Sequence, residues 1–195
     1  RVQVRADDGQ RAARGADHIT LSSLVIDGAG KPLPDGGALV QIAQAKNFRM
    51  LDCEVRRSSR NGIALEAVEG AITGTTVTGA AEAAIFSRDA QGLTIQNNVI
   101  RDTGNNGILV WRSNKGDDGT LVIDNRIEDI AARRGGSGQY GNAINLFRAD
   151  NVIVRGNRIS RAAFTGVRGM RRPICRLPAT RSARLARSRS TRNSA

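Results

Sequence analysis

An apolar alternation returns along this chain every 22 or 23 residues, and a chain built that way has few folds open to it. One unit runs Ile85-x-Ser87, a short polar turn, then Leu93-x-Ile95-x-x-Asn98-x-Ile100. The same layout is present as Val40-x-Ile42 with Met50-x-x-Cys53-x-Val55, and as Ile63-x-Leu65 with Ile72-x-x-Thr75-x-Val77. It returns as Ile108-x-Val110 with Val122-x-x-Asn125-x-Ile127, and as Ile144-x-Leu146 with Val154-x-x-Asn157-x-Ile159. From Val40 through Ile63, Ile85, Ile108 and Ile144 to Val167 the steps are 23, 22, 23, 36 and 23 residues. A fixed period of this length joined to period-2 apolar runs is the signature of a solenoid.

Each run is too short for a stable helix and is rich in Ile, Val and Thr, which suit a pleated surface. Small residues (Gly62, Ala84, Gly107, Ala143, Gly166) precede the alternations, where the chain must turn tightly. Two or three such strands per period cannot bury an apolar face alone. Laid on the previous coil, about 4.8 Å away, they pair in parallel and close a continuous core. The predicted fold class is all-β, a right-handed single-stranded parallel β-helix over residues 18–168, with the hand following from right-handed crossovers. Asn98, Asn125 and Asn157 share one slot with Cys53 and Thr75, which predicts an interior amide ladder.

Charge separates this body from what flanks it. The net charge of +12 suggests nucleic acid at first sight. Residues 168–195, however, hold nine Arg and no acid (+9), leaving 21 Lys+Arg against 18 Asp+Glu (+3) in residues 1–167. The repeat body is nearly balanced, so nucleic acid is not an expected partner. No run of 18 apolar residues is present, so no membrane span is expected. Cys53 and Cys175 stand far apart and give neither a disulfide framework nor metal spacing. Residues 1–17 read as a frayed lead-in, and the start at Arg1 without Met reads as a fragment or a processed chain. Residues 169–195 read as a disordered basic tail. They also read as an out-of-frame product, because degenerate codons taken one base earlier permit a string that restores the Ile-x-x-Asn-x-Ile format. Nothing in the repeat specifies an oligomeric state.

Two departures from the period mark a candidate site. Ile108 to Asn125 takes 17 steps where neighbouring units take 12 or 13, so RSNKGDDGT carries about four extra residues. Asn125 to Ile144 takes 19 steps where neighbours take 10, so AARRGGSGQYGN carries nine. Insertions in repeat proteins map to loops, often on a binding face. A third excursion, DGAGKPLPDGG from Asp27 to Gly37, lies on one side of the stack. Alignment of the units puts Glu66, Arg88, Trp111 and Phe147 in one column and Ala67, Asp89, Arg112 and Arg148 in the next. Gly79, Asp102, Asp129 and Arg161 form another. Asp102 and Asp129, one coil apart, are expected to raise each other's pKa if desolvated, as an acid–base or cation-binding pair. Without desolvation they form a solvated column balanced by Arg. No Ser/His/Asp constellation, zinc spacing, phosphate loop or dinucleotide fingerprint is present.

The stretch NNGILVWRSNKGDDGTLVIDNRIEDIAARRGGSGQYGNAINLFRADNVIVRGNRI resembles the twin-arginine-translocated repeat proteins of α-proteobacteria, in the broad pectate-lyase-like β-helix class. The resemblance implies a right-handed β-helix exported to the periplasm or beyond, in a family with no settled activity; an acidic polysaccharide, met at the coil with both insertions, is the expected partner. Lyases and epimerases of that class abstract a proton beside a uronate carboxylate, which calls for a cation on the carboxylate and a base for the proton. On that reading Arg112, Lys115, Arg133 and Arg134 bind the acid, and Tyr140 or Lys115 is the base. Asp102 and Asp129 are the further acid–base candidates. Trp111 stacks on a sugar ring, and Asp117 with Asp118 forms a candidate Ca²⁺ site. No other cofactor is expected. The alternative is a non-catalytic polysaccharide-binding or envelope scaffold.

Overall fold

The computed structural model describes residues 13–14, 17–135 and 138–169; residues 1–12 of the expected lead-in and 170–195 of the expected tail lie outside the described residues. Three short strands make each coil. They are β1 (Ala13–Arg14), β2 (Thr20–Ser22) and β3 (Val25–Asp27), then β4 (Ala38–Ala43), β5 (Phe48–Leu51) and β6 (Glu54–Arg56). The third and fourth coils are β7 (Asn61–Glu66), β8 (Gly70–Thr73), β9 (Thr76–Thr78), β10 (Ala83–Arg88), β11 (Leu93–Gln96) and β12 (Val99–Thr103). The fifth and sixth are β13 (Asn106–Asp117), β14 (Leu121–Ile123), β15 (Arg126–Ile130), β16 (Asn142–Asp150), β17 (Ile153–Arg155) and β18 (Arg158–Ala162). β19 (Thr165–Gly169) opens the next turn.

Like strands of successive coils stack into three all-parallel sheets. Sheet A is β1-β4-β7-β10-β13-β16-β19, sheet B runs from β2 to β17 and sheet C from β3 to β18, six strands each. The register is the one the period predicts: Val40, Ile63, Ile85, Ile108, Ile144 and Val167 pair in series. Their side chains meet Met50, Ile72, Ile95 and Val122 of sheet B and Val55, Val77, Ile100 and Ile127 of sheet C in one core. Each such aliphatic side chain contributes roughly 1.5–3 kcal/mol on full burial. The stack begins earlier than expected. Ala13 pairs with Ile42 and Arg14 with Ala43, so part of the lead-in already belongs to sheet A.

Among the described residues, all but one of the corners, the one at Arg112, are turned by a residue in the left-handed backbone region. Between sheets B and C these are Asp52, Gly74, Asn97, Asp124 and Gly156 (φ 50–67°). At the end of sheet C they are Arg57, Gly79, Asp102, Asp129 and Arg161, and at the end of sheet A they are Gln44, Ala67, Asp89 and Arg148. Asn, Asp and Gly tolerate this conformation better than other residues. The B–C corner holds the expected ladder. The Asn125 side chain accepts from the Asn98 amide N (2.9 Å) and Nδ2 (3.0 Å), and donates to Ile95 O and Asn157 Oδ1, both 2.9 Å. Thr75 N donates to Asn98 Oδ1 at 2.9 Å, extending the column by one coil.

The two insertions differ in kind. The extra residues after Ile108 are not a loop but a lengthening of β13 to twelve residues. Trp111 pairs with Phe147 and Gly116 with Ala149, so five steps in β13 oppose two in β16, a three-residue bulge. The reason is visible at Arg112, the one member of its column without a left-handed backbone, so the strand runs on past the corner. The extra residues after Asn125 form an irregular loop over 131–141 between β15 and β16. The excursion over 28–37, between β3 and β4, leaves the stack at the same corner four coils away.

Candidate functional site

The two loops at the C–A corner stand at opposite ends of one groove. Ala29 and Gly30 come from the first loop, Arg57 and Ser58, Gly79 and Ala81, and Asp102 from the coils between, and Arg133 from the second loop. The groove, about 380 Å³ and open to solvent, therefore runs along the stack over five coils. At about 4.8 Å per coil its floor is close to 19 Å long. Half of the lining residues are Gly or Ala, whose small side chains leave room for a chain to lie in.

A chain of alternating charges fastens the loops beside the groove. Arg60 reaches Asp35 of the first loop and, at 3.3 Å, Glu82; Glu82 in turn takes Arg134 of the second loop and Asn105 Nδ2 (2.8 Å). Backbone bonds hold the same loop from below, Arg133 N to Gly104 O at 2.8 Å and Ala131 N to Thr103 O at 2.8 Å. A second polar ladder supports the corner from inside. Asn142 N and Nδ2 donate to Asn106 Oδ1 (3.3 Å each), Thr165 Oγ1 donates to Asn142 Oδ1 (2.7 Å), and Ala83 N donates to Asn61 Oδ1 (3.2 Å). Its signal is present in the sequence: Asn61, Asn106 and Asn142 each stand two residues before an alternation. Asp35, Arg60 and Glu82 had no such periodic signal, because each coil contributes one different charge.

The predicted site residues divide between two borders of sheet A. Asp102, Asp129, Arg133, Arg134 and Tyr140 lie on the C–A side; Trp111, Arg112, Lys115, Asp117 and Asp118 lie on the A–B side. The strand from Asn106 to Trp111 separates them by roughly 16 Å, so Tyr140 and Lys115 do not share one cluster. Among the described residues, Asp102 and Arg133 make no side-chain hydrogen bond or ion pair, and both face the groove. Arg134 is held by Glu82. Tyr140 is half-buried in the 131–141 loop.

Asp129 corrects the expected carboxylate pair. It is gripped by the Arg161 guanidinium, with Nη2 2.8 Å from Oδ2, and that hydrogen bond holds its carboxyl below the ordinary range rather than raising it. Exposure is the physical reason: the column is wet, and Arg161 neutralises it. Glu128, lowered first by the Arg126 hydrogen bond, and Asp27, lowered first by Arg57, behave alike. These groups bind fewer protons folded than unfolded. Their stabilisation is complete above the unfolded values near 4 and is lost as pH falls toward the folded ones. The melting temperature is therefore expected to fall as pH drops below about 4, and Arg161→Ala is expected to raise the Asp129 carboxyl in a proton NMR titration. An unmoved Asp129 signal would mean the contact does not form in solution.

On the A–B side, Asp118 is fully buried, with Oδ1 accepting from the Thr120 hydroxyl and Oδ2 3.6 Å from Arg112 Nη1. Burial pushes its carboxyl up, and Thr120 and Arg112 pull it part of the way back. Asp117 is exposed and pairs in register with Asp150. The adjacent carboxylates thus diverge, and one of them faces a guanidinium. Ca²⁺ takes six to eight converging oxygens, which this donor set does not supply, and among the described residues no group of three or more His, Cys, Asp or Glu is placed to hold a metal. No described helix is long and apolar enough to cross a membrane.

Residues 13–127 and 61–182 match the family described as right handed beta helix region, which together is well over half of the chain. No curated protein and no solved structure matches it.

Proposed function

Because the chain belongs to the right-handed β-helix family, we propose that it is a carbohydrate-active protein that binds an acidic polysaccharide along the C–A groove. The observation that carries this is the groove's direction. It follows the stack across five coils between two fastened loops, which suits an extended polymer rather than a compact ligand. Arg133 supplies a guanidinium with no carboxylate partner among the described residues, suited to a uronate carboxylate. Asp102 supplies an acceptor for sugar hydroxyls.

The finer reading is a lyase- or epimerase-like step with these two groups in complementary roles. Arg133 neutralises the carboxylate, which acidifies the adjacent C–H, and Asp102 receives the proton. The carbanion then either expels the glycosidic oxygen, leaving an unsaturated residue and a protonated chain end, or takes a proton back on the opposite face. Tyr140, on the same loop as Arg133, is the alternative proton carrier. Export to the periplasm or beyond belongs to the same reading, since it brings the protein to envelope polysaccharides. The non-catalytic scaffold remains the second reading, favoured by the rail in which Arg60, Glu82 and Arg134 spend their charges on one another.

Retention on gels containing a panel of uronate polymers, run beside ultraviolet absorbance for unsaturated products, tests both. Polyuronate is expected to retard the protein, and Arg133→Ala is expected to weaken that retention about tenfold. Asp102→Asn is expected to abolish any absorbance increase while leaving retention. Retention with neither absorbance nor a change in uronate stereochemistry by proton NMR selects the scaffold; no retention on any acidic polymer rejects the groove.

A further inference from the structure

The A–B border carries a second surface that the groove does not use. There the lengthened β13 projects beyond the corner as a finger whose base is braced from both neighbouring coils. Ser113 N and Oγ donate to the two Asp89 carboxylate oxygens at 2.8 and 2.6 Å, and Arg148 Nη1 donates to Ser113 O at 2.9 Å. Arg112 Nη1 donates to Ala90 O at 3.2 Å, and Asp118 N to Asp150 O at 3.0 Å. These contacts hold the finger rigid while Asn114 and Lys115 at its tip stay exposed.

Beside the finger, Trp111 and Phe147 from adjacent coils stand parallel, their planes 5° apart and their centroids 6.0 Å apart. That separation is the offset arrangement, and both residues remain half-buried, so part of the pair reaches solvent. Arg148 lies over Phe147 at 5.1 Å, between the rings and the finger. The other ionic groups near the rings are already engaged: Arg88 with Glu66 at 2.6 Å, Arg112 with Asp118, and Asp89 with Ser113. Lys115 and Arg148 have no carboxylate partner among the described residues, while Asp117 and Asp150 pair in register after the bulge, next to Gly116 and Ala149.

We propose that this border is a second sugar site, which takes a pyranose residue bearing a carboxylate or a sulfate ester. The offset rings receive the apolar C–H face of the sugar, and Lys115 and Arg148 receive its anionic group. Rigidity matters here, because a preformed finger loses little entropy on binding. The site stands on its own contacts, independent of the groove. If both are occupied, one chain holds two polymer segments on opposite borders of sheet A, and binding to a polymer gains from the linked second contact.

Trp111 is the sole tryptophan in the chain, so its emission reports this border directly. Titrating the full chain with a uronic-acid tetrasaccharide is expected to give a saturable emission change. Lys115→Ala is expected to weaken the apparent affinity about tenfold, with circular dichroism unchanged because Lys115 is an exposed tip residue. Arg133→Ala is expected to leave the titration as in the parent, which separates this site from the groove. A sulfated tetrasaccharide distinguishes the two anionic sources, and a neutral one of the same linkage is expected to bind about tenfold more weakly. Unchanged emission with every anionic sugar, a Lys115→Ala titration identical to the parent, or loss of the signal in Arg133→Ala would each overturn the proposal.

Discussion

Asn125→Ala is expected to lower stability by on the order of 3–5 kcal/mol, read as a fall in the urea midpoint. The side chain makes four hydrogen bonds in the closed B–C corner, to Asn98 above and Asn157 below and to the Ile95 carbonyl. Truncation leaves the Asn98 backbone N–H and the Ile95 oxygen buried without those partners, while Asn157 Oδ1 keeps the backbone N of residue 125 and Asn98 Nδ2 keeps Ile72 O. Each orphaned group costs about 1–3 kcal/mol. The losses are not fully additive, since the corner can relax. Because a solenoid's stability is a sum over neighbouring coils, breaking one interface severs communication between the halves. A second, earlier transition should therefore accompany the shift. Asn114→Ala, at the exposed tip of the finger, is the matched control and should change the midpoint very little. A loss below about 1 kcal/mol at Asn125 would mean that water reaches the ladder.

Gly104→Ala is expected to be comparably damaging, at about 3 kcal/mol or more. A Cβ at Gly104 would lie 1.9 Å from the carbonyl oxygen of Ala81 in the coil below. That neighbour is backbone, so no side-chain rotation relieves the contact. The coils must part where Gly104 N donates to Ala80 O (2.8 Å) and where Gly104 O holds Arg133 N. The variant thus tests core and groove together: lowered thermal stability and weakened polyuronate retention should appear jointly. Gly92→Ala offers the contrast. Its Cβ would meet nothing within 4 Å, although its φ of +82° disfavours a side chain, so a loss of about 1 kcal/mol is expected. Equal effects at the two positions would show that the coils part at Gly104 at little cost, since Gly104 carries no left-handed strain of its own.

The repeat was legible because its causes are local and periodic. A residue such as Ile85 points inward for the same reason as Ile63 and Ile108, and the chain restates that reason every 22 or 23 residues. The Asn98–Asn125–Asn157 column was legible on the same ground, and the Asn61–Asn106–Asn142 column was equally periodic though it takes the structure to show its bonds. Length counting also located both insertions correctly. It did not say that the residues after Trp111 continue a strand whereas those after Ile130 form a loop. That difference hangs on one backbone conformation at Arg112.

The candidate site was legible in part and for a mixed reason. Asp102 and Asp129 stood out as an acidic column, yet their shared feature is a left-handed corner that Asp tolerates, as Gly79 and Arg161 occupy it in other coils. Asp102 gains its interest from the groove around it, and Asp129 loses its freedom to Arg161. Asp118 drew attention as half of a carboxylate pair and instead lies buried against Thr120 and Arg112.

The sequence by itself determined the coil, its inward positions, its parallel register and the residues of its amide ladder, since each follows from spacing along the chain. The tertiary structure alone decided which border of sheet A each insertion occupies, which charges neutralise one another and which remain free. Those outcomes depend on how many residues each side of a coil consumes and on contacts between residues as far apart as Glu82 and Arg134. A one-dimensional period fixes the rise of the stack, but lateral position is set only when the coils close upon each other.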